Sequence, residues 1–148
     1  MKSALIALLA FCLCWGVGCS KNLSEFEETK ALAEKGDASA QNHLGYMYDA
    51  GNGVSQDFEE AAKWYRKAAE QGEAFAQFNL GIKYSTGQGV LQNFVTAYAW
   101  INIAVANGNS TAEEYKPLIE KKMTAEQIAE AEELFIEMVK KNPKLLNK

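Results

Sequence analysis

Histidine occurs once in the 148 residues, at position 43, and all three cysteines lie within the first nineteen, at 12, 14 and 19. A site of clustered imidazoles is therefore excluded, and His43 has only Tyr46 and Met47 at the i+3 and i+4 places where a second metal ligand would stand. Basic residues are outnumbered, 15 against 19 acids, for a net charge of −4. An acidic chain without a basic stripe is not a nucleic-acid binder. Signatures of serine β-lactamases are also missing, since no Ser has Lys three residues on and K-T-G does not occur. Carboxylate pairs exist at Glu27/Glu28, Glu59/Glu60 and Glu132/Glu133. Neighbours on a helix point about 100° apart, which suits solvated surface better than an acid/base dyad. No metal, cofactor or catalytic residue is assigned, and the chain reads as a non-enzyme.

The first eighteen residues, "MKSALIALLAFCLCWGVG", carry one charge, Lys2, and then an apolar and small-residue run. That pattern is a secretory signal, too short for the roughly 20 apolar residues of a spanning helix. The break at "GVGC" resembles a bacterial lipobox, with Val17, Gly18 and Cys19 fitting and Gly16 standing where a Leu-like residue is usual. The resemblance implies acylation (palmitate among the chains) at Cys19, with residues 19–24 as a short tether. Ordinary cleavage, leaving a soluble periplasmic protein, is the alternative. Removing 1–18 leaves a single cysteine, so no internal disulfide can form. Acylation would spare that cysteine an exposed thiol's chemistry and hold the protein to membrane by more than one chain.

The rest of the chain repeats itself. Residues 36–71 and 72–107 align without a gap and share 15 of 36 positions, among them Gly36/Gly72, Gln41/Gln77, Leu44/Leu80, Gly45/Gly81, Gly51/Gly87, Gly53/Gly89 and Trp64/Trp100. A fixed period of this size marks a helical-hairpin solenoid. In each unit a stripe of Ala40, Leu44 and Tyr48 predicts one helix, the glycine pair predicts its end, and Ala61, Trp64 and Ala68 predict the second. Gly45 and Gly81 in mid-helix each cost roughly 1 kcal/mol against Ala, which implies close backbone approach. "GNGV" is no phosphate cradle, because the Lys and hydroxyl of a P-loop do not follow its glycines.

The spacing A-x-A-Q-x-x-L-G-x-x-Y-x-x-G-x-G-V followed by A-x-x-W resembles the Sel-one-like repeat, a relative of the tetratricopeptide repeat. The resemblance implies an all-α, α/α superhelical solenoid of about two 36-residue repeats. Residues 25–35 are expected to form a capping half-repeat helix, and 108–141 a degenerate repeat with a C-terminal capping helix. That segment should break at Pro117 and restart near Leu118. A capping box, Thr124 to Gln127, should open the last helix, and 142–148 should fray.

Function is expected on the first helices of the repeats, which in related solenoids line a concave face that holds proteins or peptides. Positions outside the core stripe are Asn42, His43, Tyr46 and Met47, and in the second unit Phe75, Phe78, Asn79 and Ile82. These are the candidate partner-binding residues. For Phe75 and Phe78, packing against Pro117 or a neighbouring hairpin is the competing role. The resulting expectation is an adaptor of the bacterial cell envelope, anchored by lipid at the outer membrane facing the periplasm. A self-associating structural subunit and a cell-wall or β-lactam-related hydrolase are the alternatives.

Overall fold

A computed structural model describes the backbone of residues 17–147, with side chains from Glu25 onward. Among these residues all regular structure is helical, in the order α1 (Val17–Glu34), α2 (Ala38–Ala50), α3 (Phe58–Ala69), α4 (Ala74–Thr86), α5 (Phe94–Ala106), α6 (Ser110–Glu120) and α7 (Ala125–Lys141). A 3₁₀ turn, Pro143–Leu145, follows. Hairpins α2–α3 and α4–α5 are the two 36-residue units, so the protein is an all-α helical-repeat solenoid.

Local chemistry sets the helix limits. Asp37, Asp57, Asn93 and Asn109 sit in extended backbone and accept from N–H groups of the first turn, which removes orphan donors at each start. Gly51 and Gly87 close α2 and α4 in the left-handed region, at φ +70° and +74°, which glycine enters without steric cost. The helices of each hairpin then meet at glycine. A methyl on Gly45 would lie 2.7 Å from the Tyr65 ring, and one on Gly81 2.8 Å from Ile101. Ala61, Ala68, Ala97 and Ala104, all fully buried, keep the facing helices equally slim.

One polar feature repeats with the helices. Gln41 donates to the Ala33 carbonyl at 3.0 Å, and Gln77 donates to Ala69 at 3.1 Å. Each glutamine oxygen accepts from the residue thirty positions on, Gln71 at 2.7 Å and Asn107 at 2.8 Å. Buried amides paired in this way tie the end of one helix to the start of the next, and among the described residues no buried side-chain nitrogen or oxygen is left without a partner.

Three expectations need correction. The N-terminal helix starts at Val17 instead of Glu25, so the backbone of Cys19 and of the expected tether is helical. No proline interrupts that stretch, and the helix continues through Ser24. The expected signal segment otherwise lies outside the described residues. Pro117 does not break the chain: α6 runs through it to Glu120. Ala112 and Ile119, on either side, are both buried against α5 and α7 and offset the lost backbone bond. The tail does not fray either. Leu145 is buried, its carbonyl accepts from Gln77 at 2.9 Å and Asn107 at 2.7 Å, and Asn142 donates to the Glu70 carbonyl at 2.9 Å. Burying one leucine is worth about 1.5–3 kcal/mol, enough to hold a short segment whose carbonyl is also paired.

The last helix lies along α5, with Phe135, Met138 and Val139 against the cluster that holds Trp100, Ile103 and Tyr65. Among the described residues no helix is long and apolar enough to cross a membrane.

Candidate protein-docking face

The first helices of successive units, α2, α4 and α6, stand side by side. Asn79 donates to Asn42 at 3.1 Å between α2 and α4. Between α4 and α6, the rings of Phe78 and Tyr115 meet edge to face at 5.8 Å, and Ser85 and Tyr115 share a 3.4 Å hydroxyl contact. Helices in register place equivalent positions in a row, and the 36-residue step carries Tyr46 to Ile82 to Leu118. Tyr46 is 54% exposed and Leu118 52%, with Ile82 half-buried between them. Phe75, 60% exposed, lies at the start of α4.

The sequence candidates therefore divide. Tyr46 and Phe75 are open to solvent, and Ile82 is half open. Asn42 and Asn79 are half-buried and spend an amide on each other. His43 is exposed and faces the Glu25 carboxylate of α1 at 3.9 Å. Phe78 is half-buried and committed to Tyr115, so α6 uses it as a packing surface. Met47 is a correction: it is fully buried with Phe26, Ala33, Ala40 and Leu44, and cannot touch a partner. Its side of α2 turns toward α1, which fills the place that a preceding repeat would take. The side chain of Cys19 lies outside the described residues.

Leu118 is the residue that sequence reasoning missed. Reading Pro117 as a break discarded the register beyond it, although a further step of 36 from Ile82 already pointed there.

Beneath this row lies a charged contact. Lys83, the counterpart of Met47, is buried and bonds to Asp49 of the preceding unit and to Gln88 at 3.2 Å. Its ammonium also sits 4.7 Å from the centre of the Phe58 ring. Two phenols are held protonated. Burial, and then the Asp49 carboxylate, push Tyr65 well above the usual tyrosine range. Burial, with a 2.6 Å bond to Glu120, does the same for Tyr98. Neither phenol borders an exposed nucleophile or a cluster of ligating groups, and among the described residues no group of three His, Cys, Asp or Glu could hold a metal. An apolar row edged by paired amides suits contact with another protein's side chains, since such surfaces gain mainly by excluding water.

Comparison with known proteins adds the following. The family model described as Sel1 repeat matches residues 4–25, 38–73 and 74–109. The first of these matches overlaps the segment read as an export signal, so that segment carries repeat character as well. The crystal structure of c5321, a protective antigen of uropathogenic Escherichia coli with an SLR fold, is similar over 83% of this chain and 27% of its own, at 38% identity and TM-score 0.78. A Sel1 repeat protein from Oxalobacter formigenes is similar over 66% of this chain and 28% of its own, at 35% identity and TM-score 0.64. The secretory immunoglobulin A-binding protein EsiB of Escherichia coli O6:H1 is 45% identical over 42 residues, 28% of this chain and 9% of EsiB. The chain thus spans a small part of the length of each of these relatives.

Proposed function

The chain belongs to the Sel1 repeat family, whose members are generally protein-interaction modules, and from that premise we propose that it is a non-catalytic docking module of the bacterial envelope. The observation that carries this reading is the row Tyr46, Ile82 and Leu118, three large apolar side chains in one register on three neighbouring helices, with its two ends half exposed. Phe75 extends the same surface. A partner that lays an apolar strip across the three helices would remove this area from water at about 25 cal/mol per Å². EsiB is named for binding a protein, secretory immunoglobulin A, and that supports a protein as the class of partner here too.

The envelope assignment rests on residues 1–18 and on Cys19. Acylation there, with residues 1–18 removed, would put the lipid on the first remaining residue of α1, so the solenoid would join its membrane through the helix itself. Labelling with palmitate, and its loss in Cys19→Ser, tests this part alone.

For the docking face, the measurement is crosslinking in whole cells of the parent and of Tyr46→Ser/Leu118→Ser. Both positions are exposed, so the variant should keep its helical spectrum and melting temperature. A protein captured by the parent and lost in the variant is the expected result. Identical capture by both would remove the row from consideration.

A further inference from the structure

The docked tail shows what a peptide looks like when this repeat accepts it. Leu145 enters a floor made by Ala68, Ala69, Ala76, Leu80, Trp100 and Ile103. Its carbonyl takes amide hydrogens from Gln77 and Asn107. Gly72, at φ +91°, lets the tail backbone pass, since a methyl there would lie 2.5 Å from the Lys144 carbonyl.

The same constellation recurs 36 residues earlier. Gly36 holds φ +97°, Gln41 bonds to Ala33, and Gln71 bonds to Gln41, just as Gly72, Gln77 and Asn107 do. Leu32, Ala33, Ala40, Leu44 and Trp64 occupy the floor positions. Here Ala33, Ala40 and Leu44 are covered by Phe26 and Met47, but the outer side stands open. Leu32 is 52% exposed where its counterpart Ala68 is fully buried, Trp64 is half-buried, and a methyl on Gly36 would meet nothing within 4 Å. Gln77 gives one amide hydrogen to Ala69 and one to Leu145, whereas Gln41 gives one to Ala33 and has a second to offer. One floor residue differs in kind. Lys67 replaces Ile103 and lays its ammonium 3.9 Å from the centre of the Trp64 ring, so positive charge sits at the rim.

We propose that this notch at the α1–α2 turn binds a short turn-forming segment of a partner protein, with a leucine between Leu32 and Trp64, its carbonyl on the second amide hydrogen of Gln41, and an acidic residue beside Lys67. The chain's own tail is the template for the peptide but not its source, because Gln77, Asn107 and the Glu70 carbonyl already hold that tail in its own unit. The notch shares no residue with the row of first helices, so the two readings stand or fall separately.

The test titrates the intact protein against two fluorescein-labelled peptides of residues 139–147, one native and one with Lys140, Lys141 and Lys144 replaced by glutamate. Saturable binding is expected, several-fold tighter for the acidic peptide, with the difference fading as salt screens Lys67. Leu32→Glu, at an exposed position, should weaken both at least tenfold, and Lys67→Ala should abolish the preference for acid. Tyr46→Ser should bind both as the parent does. Absence of saturation up to about 1 mM, or binding untouched by Leu32→Glu, would overturn the proposal. So would self-association of the intact protein that Leu32→Glu removes, since that would give the notch to a second copy.

Discussion

Lys83, with only 4% of its side chain exposed, bonds to the carboxylate of Asp49 across the boundary between two repeats. Asp49 also receives the Tyr65 hydroxyl at 3.5 Å, so one carboxylate connects α2, α3 and α4. Removing it would leave a buried ammonium without an anion. Asp49→Ala should cost about 3 kcal/mol, the low end for a broken buried pair because Asp49 is a quarter exposed. Lys83→Met copies Met47 and removes the charge with its desolvation cost, so it should be neutral or stabilising. Urea unfolding of both variants decides the matter. Equal losses would mean that the pair contributes net stability as a pair.

Gly81→Ala puts a methyl 2.8 Å from Ile101 and 3.2 Å from the Ala97 carbonyl. Helix propensity favours Ala by about 1 kcal/mol, and the clash opposes it. A net loss of about 1–3 kcal/mol is expected, because the backbone of α5 cannot swing aside as a side chain can. A melting temperature equal to or above the parent's would show that the hairpin relaxes at no cost.

Pro117 should be replaceable with profit. It stands inside α6, where its ring removes a backbone bond. Pro117→Ala should restore that bond and raise stability by about 1 kcal/mol or more, with Leu118 and the row it ends left in place. A lower melting temperature would mean that a bend at Pro117 is needed to seat Ile119.

High pH should loosen the protein. Tyr65 and Tyr98 both titrate above their ordinary value of 10.0, so the fold favours their neutral forms. For a group whose folded value is raised, the contribution is whole below the unfolded value and lost as pH climbs through the folded one. Stability should therefore decline above pH 10, and Tyr98→Phe should decline less steeply than the parent over that range. Parallel curves would remove Tyr98 as a cause.

How much of this was legible in the sequence depended on whether a residue obeyed the period. Glycines 45, 51, 81 and 87 recur because each answers a backbone requirement that both units share, and backbone requirements survive changes of side chain. Met47 and Lys83 occupy one position yet differ in chemistry, because α1 lies on one side of α2 and a whole repeat on one side of α4. Period alone cannot say what a helix faces. The tail was unreadable for a related reason: "NPKLLNK" has no helical stripe, and its place is fixed by partners such as Gln77 and Glu70 that lie far back in the chain. Pro117 misled because its local cost was read without the buried Ala112 and Ile119 on either side.

The bond from Gln77 to Leu145 joins residues 68 apart, whereas the helix pairs of a solenoid close over a few tens. Neighbouring hairpins can therefore form as soon as they leave the ribosome, each against the one before. The seat at Gly72 has to wait for residues 142–147, and a product lacking them would emerge with Trp100 and Ile103 without part of their cover. Residues 142–147 thus act as a closing latch, and a product that ends short of them should be the one that quality control takes first.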